Sequence, residues 1–128
     1  MSEVTILVVE DNERNLKLVR DVLQFAGFKV IAATSAEQGV EMASAEPPDL
    51  VLMDLQLPGM DGTEALRQLR SSPRTRSVPV VAVTASAMKD DRALALRAGF
   101  DGYLEKPISV QALPAQVRSF LPSVEALP

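Results

Sequence analysis

Apolar positions along the chain follow two alternating periods. Short runs at Thr5 to Val9, Lys29 to Ala32, Leu50 to Met53, Val80 to Val83 and, more weakly, Gly102 to Leu104 are continuously or nearly continuously apolar. That is the pattern of strands covered on both faces in a parallel sheet. Between them the spacing turns helical. Asn15 to Phe25 places Leu16, Val19 and Leu23 on one side with Val22 beside them, and Ala36 to Ala43 presents Val40 and Ala43 inward. Thr63 to Leu69 offers Leu66 and Leu69, and Arg92 to Ala98 offers Leu94 and Ala98.

Turn and cap residues agree with these boundaries. Asn12 or Glu13 opens the first helix and Gly27 ends it; Ser35 caps the second and Pro47-Pro48 prevents its continuing. Asp61 or Gly62 opens the third, Ser71-Ser72-Pro73 marks its end, and Gly99 follows the fourth. Pro114 lies inside the last amphipathic segment, so that helix is predicted to begin near Leu113, where a proline in the first turn breaks no hydrogen bond. The order βαβαβαβαβα implies a right-handed, doubly wound α/β fold, (βα)5, with a five-stranded parallel sheet and helices on both faces.

Length and charge narrow the function. The 128 residues suit one domain, predicted over residues 1–121, with 122–128 as a loose C-terminal tail. A start at Met1 and a short tail read as a complete single-domain protein. Aromatics make up only 4% of the chain, so Val, Leu, Ile, Ala and Met must build the core. A net charge of −4 argues against a nucleic-acid binder, which needs clustered Lys and Arg. The chain has no cysteine and no histidine, which removes disulfides, thiolate metal sites, the usual zinc ligand and any phosphohistidine of its own. No run approaches the ~18 apolar residues of a membrane span, and Met1-Ser2-Glu3-Val4 is no signal peptide. These features predict a cytoplasmic protein without a membrane or nucleic-acid partner.

In open parallel sheets, ligands bind outside the carboxyl ends of the strands. The first strand ends in Glu10-Asp11, the third in Asp54 and the fourth in Thr84, and the fifth runs into Lys106-Pro107. Singly, each has an ordinary structural explanation: a turn former, a strand residue, a solvated charge. Together they do not. Three anions gathered there repel by about 4 kcal/mol per pair at 4 Å with an effective dielectric of 20. Such a cluster requires a compensating cation, and an all-oxygen donor set suits Mg²⁺. Mg²⁺ beside a free carboxylate and a lysine equips the site for phosphoryl transfer. Asp54 would be the nucleophile, needing no base because a carboxylate is already anionic at neutral pH. Glu10 and Asp11 would hold the metal, Lys106 would screen the incoming group, and Thr84 could bind a phosphate oxygen.

From Thr5 to about Leu121 the chain resembles the receiver domain of two-component response regulators. The resemblance is carried by Val8-Val9-Glu10-Asp11-Asn12, Leu52-Met53-Asp54-Leu55-Gln56-Leu57-Pro58-Gly59-Met60-Asp61-Gly62, Val83-Thr84-Ala85 and Tyr103-Leu104-Glu105-Lys106-Pro107-Ile108. Glu10-Asp11-Asn12-Glu13, Thr84 to Lys89 and Lys106 to Ser109 look most like single-domain, DivK-type regulators. The resemblance implies a CheY-like, flavodoxin-type strand order 2-1-3-4-5. It implies Asp54 as phosphoacceptor and a metal site of Glu10, Asp11, Asp54 and the backbone carbonyl of Gln56. It further implies Thr84 as switch hydroxyl, Tyr103 as the aromatic that turns inward, and Lys106 as the phosphate-binding lysine. The resemblance makes Lys106-Pro107 a candidate cis bond, one often cis in the family, against about 5% of X–Pro bonds generally. Glu10 stands where Asp is commoner in the family, and Gln56 and Ser86 stand where it tunes self-dephosphorylation.

The implied donor is a histidine kinase or a histidine phosphotransfer protein. The implied reader is a downstream protein docking on the last helix, the last strand and the Met88 to Ala98 helix. Shifting the switch from mostly off to mostly on requires about 5.5 kcal/mol of differential interaction. A receiver module from a hybrid histidine kinase or a phosphorelay intermediate is the alternative within the family. An aspartate-nucleophile phosphatase is a third, disfavoured because Gln56 stands where such enzymes carry a second acid. Glu10-Asp11-Asn12-Glu13 lacks the glycines of a nucleotide-binding turn.

Overall fold

A computed structural model describes residues 4–57, 59–60, 62–84 and 89–121. Five strands, β1 (Thr5–Val9), β2 (Lys29–Ala33), β3 (Leu50–Asp54), β4 (Val80–Thr84) and β5 (Gly102–Glu105), alternate with five helices. These are α1 (Glu13–Phe25), α2 (Ala36–Ala45), α3 (Gly62–Ser71), α4 (Lys89–Ala98) and α5 (Leu113–Phe120). The strands form one parallel sheet in the order β2-β1-β3-β4-β5, as the sequence and its resemblance predict. The central strands β3 and β4 are buried at every position, which is why they read as unbroken apolar runs.

Because side chains alternate across a strand, each run feeds two cores. Leu7, Val9, Val51, Met53, Val80 and Ala82 face one way, where Ala43 of α2, Leu66 and Leu69 of α3 and Ala95 of α4 cover them. Ile6, Val8, Leu50, Leu52, Val81 and Val83 face the other way, under Leu16, Val19 and Leu23 of α1 and Leu113 and Val117 of α5. The odd–even split puts α1 and α5 on one side of the sheet and the other three helices opposite.

Helix boundaries follow their capping chemistry. Asn12 Oδ1 accepts the Asn15 N–H at 3.0 Å and Ser35 Oγ accepts the Gln38 N–H at 3.1 Å, satisfying two orphan donors. Gly27 (φ 100) turns the chain away after α1, and Glu46, extended before Pro47, ends α2. Pro114 lies in the first turn of α5, as its missing N–H requires.

One inward position is corrected. Ala98 was expected to face the core, but it is exposed and Ala95 is buried instead. Gly99 (φ 109) turns the chain directly after Ala98 and delivers Phe100, 4% exposed, into that part of the core. Leu94, Asp61, Ser86, Met88 and the 122–128 tail, all named from sequence, lie outside the residues or side chains described.

Candidate functional site

Parallel strands bring all their carboxyl ends to one edge, and the polar residues placed there by sequence meet. Asp54 and Thr84 are the last residues of β3 and β4, while Glu10 and Lys106 directly follow β1 and β5. Glu10, Asp54 and Thr84 are among the few buried polar side chains described, at 5%, 2% and 5% exposure. One carboxylate oxygen from each of Glu10, Asp11 and Asp54 lies within 4.8 Å of the others, with Asp11 exposed at the rim.

Lys106 is the cation among them. Its Nζ lies 2.9 Å from Asp54 Oδ2 and 2.9 Å from Glu10 Oε1. The remaining oxygens take backbone donors: Asp54 Oδ1 accepts the Gln56 N–H at 2.8 Å, and Glu10 Oε2 accepts the Asn12 N–H at 3.1 Å. Gln56 therefore meets the site through its backbone N–H. Thr84 pairs in register with Glu105, two positions past the Ala82–Tyr103 pair. Tyr103 is half-buried against the core beneath α2, α3 and α4. The Lys106-Pro107 bond is cis.

The electrostatics follow from this crowding. Burial pushes the Glu10 carboxyl above its ordinary value, and the neighbouring Asp54 pushes it further; Lys106 and the Asn12 N–H only partly oppose them. For Lys106, burial works against the ammonium, but hydrogen bonds and charge attraction from Asp54 and Glu10 outweigh it, and the net shift is upward. Among the described residues, three carboxylates against one ammonium leave the cluster short of positive charge. Hard oxygen donors this close together, two of them buried, fit a small divalent cation such as Mg²⁺.

Sequence reasoning missed the cleft beside the cluster. A cavity of about 330 Å³ runs from Asp54 and Lys106 between α1 and the segment after β5, lined by Asn15, Leu18, Pro107 and Ile108 among others. The apolar Pro107-Ile108 pair after the lysine was the available signal. Also missed was the pairing of Glu10 with Lys106, since a sequence names charges without showing which partner each side chain reaches.

The sheet order and this polar edge define a CheY-like α/β domain of flavodoxin type. The chain belongs to the response regulator receiver domain family, whose model matches residues 6–118. It is therefore a two-component signalling module of the phosphoryl-accepting kind. It is 39% identical to the polar-differentiation response regulator DivK of Brucella ovis, across 91% of this chain and 95% of that protein. The receiver domain of sensor histidine kinase PA1611 from Pseudomonas aeruginosa PAO1 is 34% identical, with a TM-score of 0.85 over 93% of this chain and 98% of that one. That structure holds a magnesium ion coordinated in its active-site cleft. Chemotaxis response regulator CheY4 of Vibrio cholerae, 22% identical, shares the fold with a TM-score of 0.88 over 94% of this chain and all of its own. Among the described residues, no helix is long and apolar enough to cross a membrane.

Proposed function

We propose that this chain is a response regulator that takes a phosphoryl group from a phosphohistidine onto Asp54, with Mg²⁺, and reports the change to another protein in the cytoplasm. The observation that carries the reading is the Asp54 carboxylate, 2% exposed at a strand end, held 2.9 Å from Lys106 beside Glu10 and Asp11. The likeness to DivK across nearly the whole of both chains supports it, and so does the magnesium in the similar receiver's cleft.

In the transfer, an Asp54 carboxylate oxygen attacks phosphorus, the donor's P–N bond breaks as the P–O bond forms, and the imidazole leaves with the electron pair. Glu10, Asp11, Asp54 and the Gln56 carbonyl would hold the metal, which when bound supplies positive charge for phosphate oxygens. Lys106 supplies further positive charge beside Asp54. Asp54 needs no general base. Once it is modified, Thr84 turns its hydroxyl to a phosphate oxygen and Tyr103 moves further into the core it already touches. The surface of α4, β5 and α5 carries that change to a downstream protein. Residues 1–121 form the receiver unit in this reading and 122–128 a tail, and no diffusible substrate is turned over.

Incubation with a ³²P-labelled histidine kinase or histidine phosphotransfer protein tests the proposal. Label should move to the wild-type chain and not to Asp54→Asn. Transfer of equal extent to both would contradict it. The similarity to a sensor kinase's receiver favours one second reading, a receiver module of a hybrid histidine kinase or a phosphorelay intermediate. Onward transfer of the label from Asp54 to a second histidine protein would select it.

A further inference from the structure

The two buried carboxylates of the site have every oxygen engaged. Asp54 uses Oδ1 on the Gln56 N–H and Oδ2 on Lys106. Glu10 uses Oε2 on the Asn12 N–H and Oε1 on Lys106. One ammonium thus straddles both acids, with side-chain exposures of only 17% for Lys106, 6% for Glu10 and 3% for Asp54. The span is long. Glu10 follows β1 and Lys106 follows β5, and β3 and β4 lie between them, so the two backbones stand roughly 14 Å apart, three strand spacings. Closing that gap to 2.9 Å calls for a long side chain at both positions. An Asp at position 10 would give up about 1.5 Å, one carbon–carbon bond, and leave the ammonium beyond hydrogen-bonding range.

We infer that Glu10 is a positioning residue that latches Lys106 across the site, and thereby sets how readily the site exchanges its ammonium for a divalent cation. The inference rests on the phosphoacceptor, metal-using reading given above. Lys106 and a divalent cation compete for the negative charge of the same two buried carboxylates, Glu10 and Asp54. A lysine whose ammonium is held by both acids must lose two buried ion pairs to give way, whereas one held by Asp54 alone loses one. The latch weakens divalent binding in the resting protein. It also keeps Lys106 over Asp54 until an incoming phosphoryl group offers the ammonium new oxygens.

Magnesium titrations followed through backbone amide shifts test this on wild type, Glu10→Asp, Lys106→Met and the double variant, the spectra also reporting that each is folded. Glu10→Asp should bind Mg²⁺ roughly tenfold more tightly, a gain of the size that contacting residues commonly couple by. Lys106→Met should also bind more tightly. The double variant should show no gain over Lys106→Met, because the latch is already absent. Unchanged or weaker binding by Glu10→Asp, no gain in Lys106→Met, or the same Glu10→Asp gain without the lysine overturns the latch and leaves the phosphoacceptor reading standing. A wild-type protein that shows no Mg²⁺-dependent shifts overturns the metal reading and the latch with it.

Discussion

The two ends of the sheet use the same chemistry to opposite purposes. At the amino end, Arg70 in the last turn of α3 joins the starts of β4 and β5. Its guanidinium donates to Val78 O at 2.7 Å, Arg76 O at 3.2 Å, Gly99 O at 3.3 Å and Asp101 Oδ2 at 2.6 Å. Asp101 Oδ2 also accepts the Val80 N–H at 2.7 Å. One cation meets one anion there, in a fork geometry that fits a single arrangement. At the carboxyl end, one lysine bridges two carboxylates, both more deeply buried than either Arg70 or Asp101, with Asp11 as a third acid close by. The amino end is balanced and holds the fold together. The carboxyl end is left short of positive charge, which suits it to take up a cation.

That contrast can be broken by mutation. The largest effect should come from Arg70→Ala, which strands Asp101 and two or more carbonyls at once. A loss of roughly 2 kcal/mol in chemical denaturation is expected, the scale of hydrogen bonds to charged groups. A loss near zero would mean the amino end is no clamp. Asp54→Asn should act in the other direction. Removing one of the crowded charges should stabilise the metal-free protein by about 1 kcal/mol, measured in EDTA, while abolishing phosphoryl uptake. Destabilisation there would show that the carboxyl end is as well balanced as the amino end.

The pH dependence sharpens the same point. The raised folded value of Glu10 means that, from its ordinary 4.5 upward to that value, the native state binds more protons than the unfolded chain. Stability of the metal-free protein should therefore fall as pH rises through that window. The slope should flatten in Glu10→Gln, and equal slopes in the two proteins would contradict the assignment. The smallest effect belongs to the exposed Lys17–Asp21 pair on α1, 2.7 Å apart. Lys17→Ala should leave the denaturation midpoint unchanged, because an exposed pair gains little from its contact.

How much of this was legible from sequence depended on contrast. β3 and β4 were clear because every position is apolar or small up to Asp54 and Thr84, yet the strands run one residue beyond the apolar runs. Ladder hydrogen bonds such as Leu55 N–H to Val83 O and Lys106 N–H to Thr84 O set those ends, and hydropathy does not encode them. The helix α1 was clear because charged and apolar residues separate into faces. The phase of α4 was not, because Arg92 to Ala98 alternates Ala and Leu with too little contrast to mark a face. For the site, strand order and spacing brought Glu10, Asp11, Asp54, Thr84 and Lys106 to one edge. Which oxygen meets which nitrogen depends on side-chain torsions and packing, and only the structure supplied it.

The central claim is that Asp54 is the residue that becomes phosphorylated. Treating the protein with Mg²⁺ and a small acyl phosphate, then mapping peptides by mass spectrometry under conditions that preserve acyl phosphates, tests it most directly. The account predicts one phosphoryl group per chain, on Asp54, and none on Asp54→Asn. Stoichiometric label on another residue, or label that persists in Asp54→Asn, would contradict it.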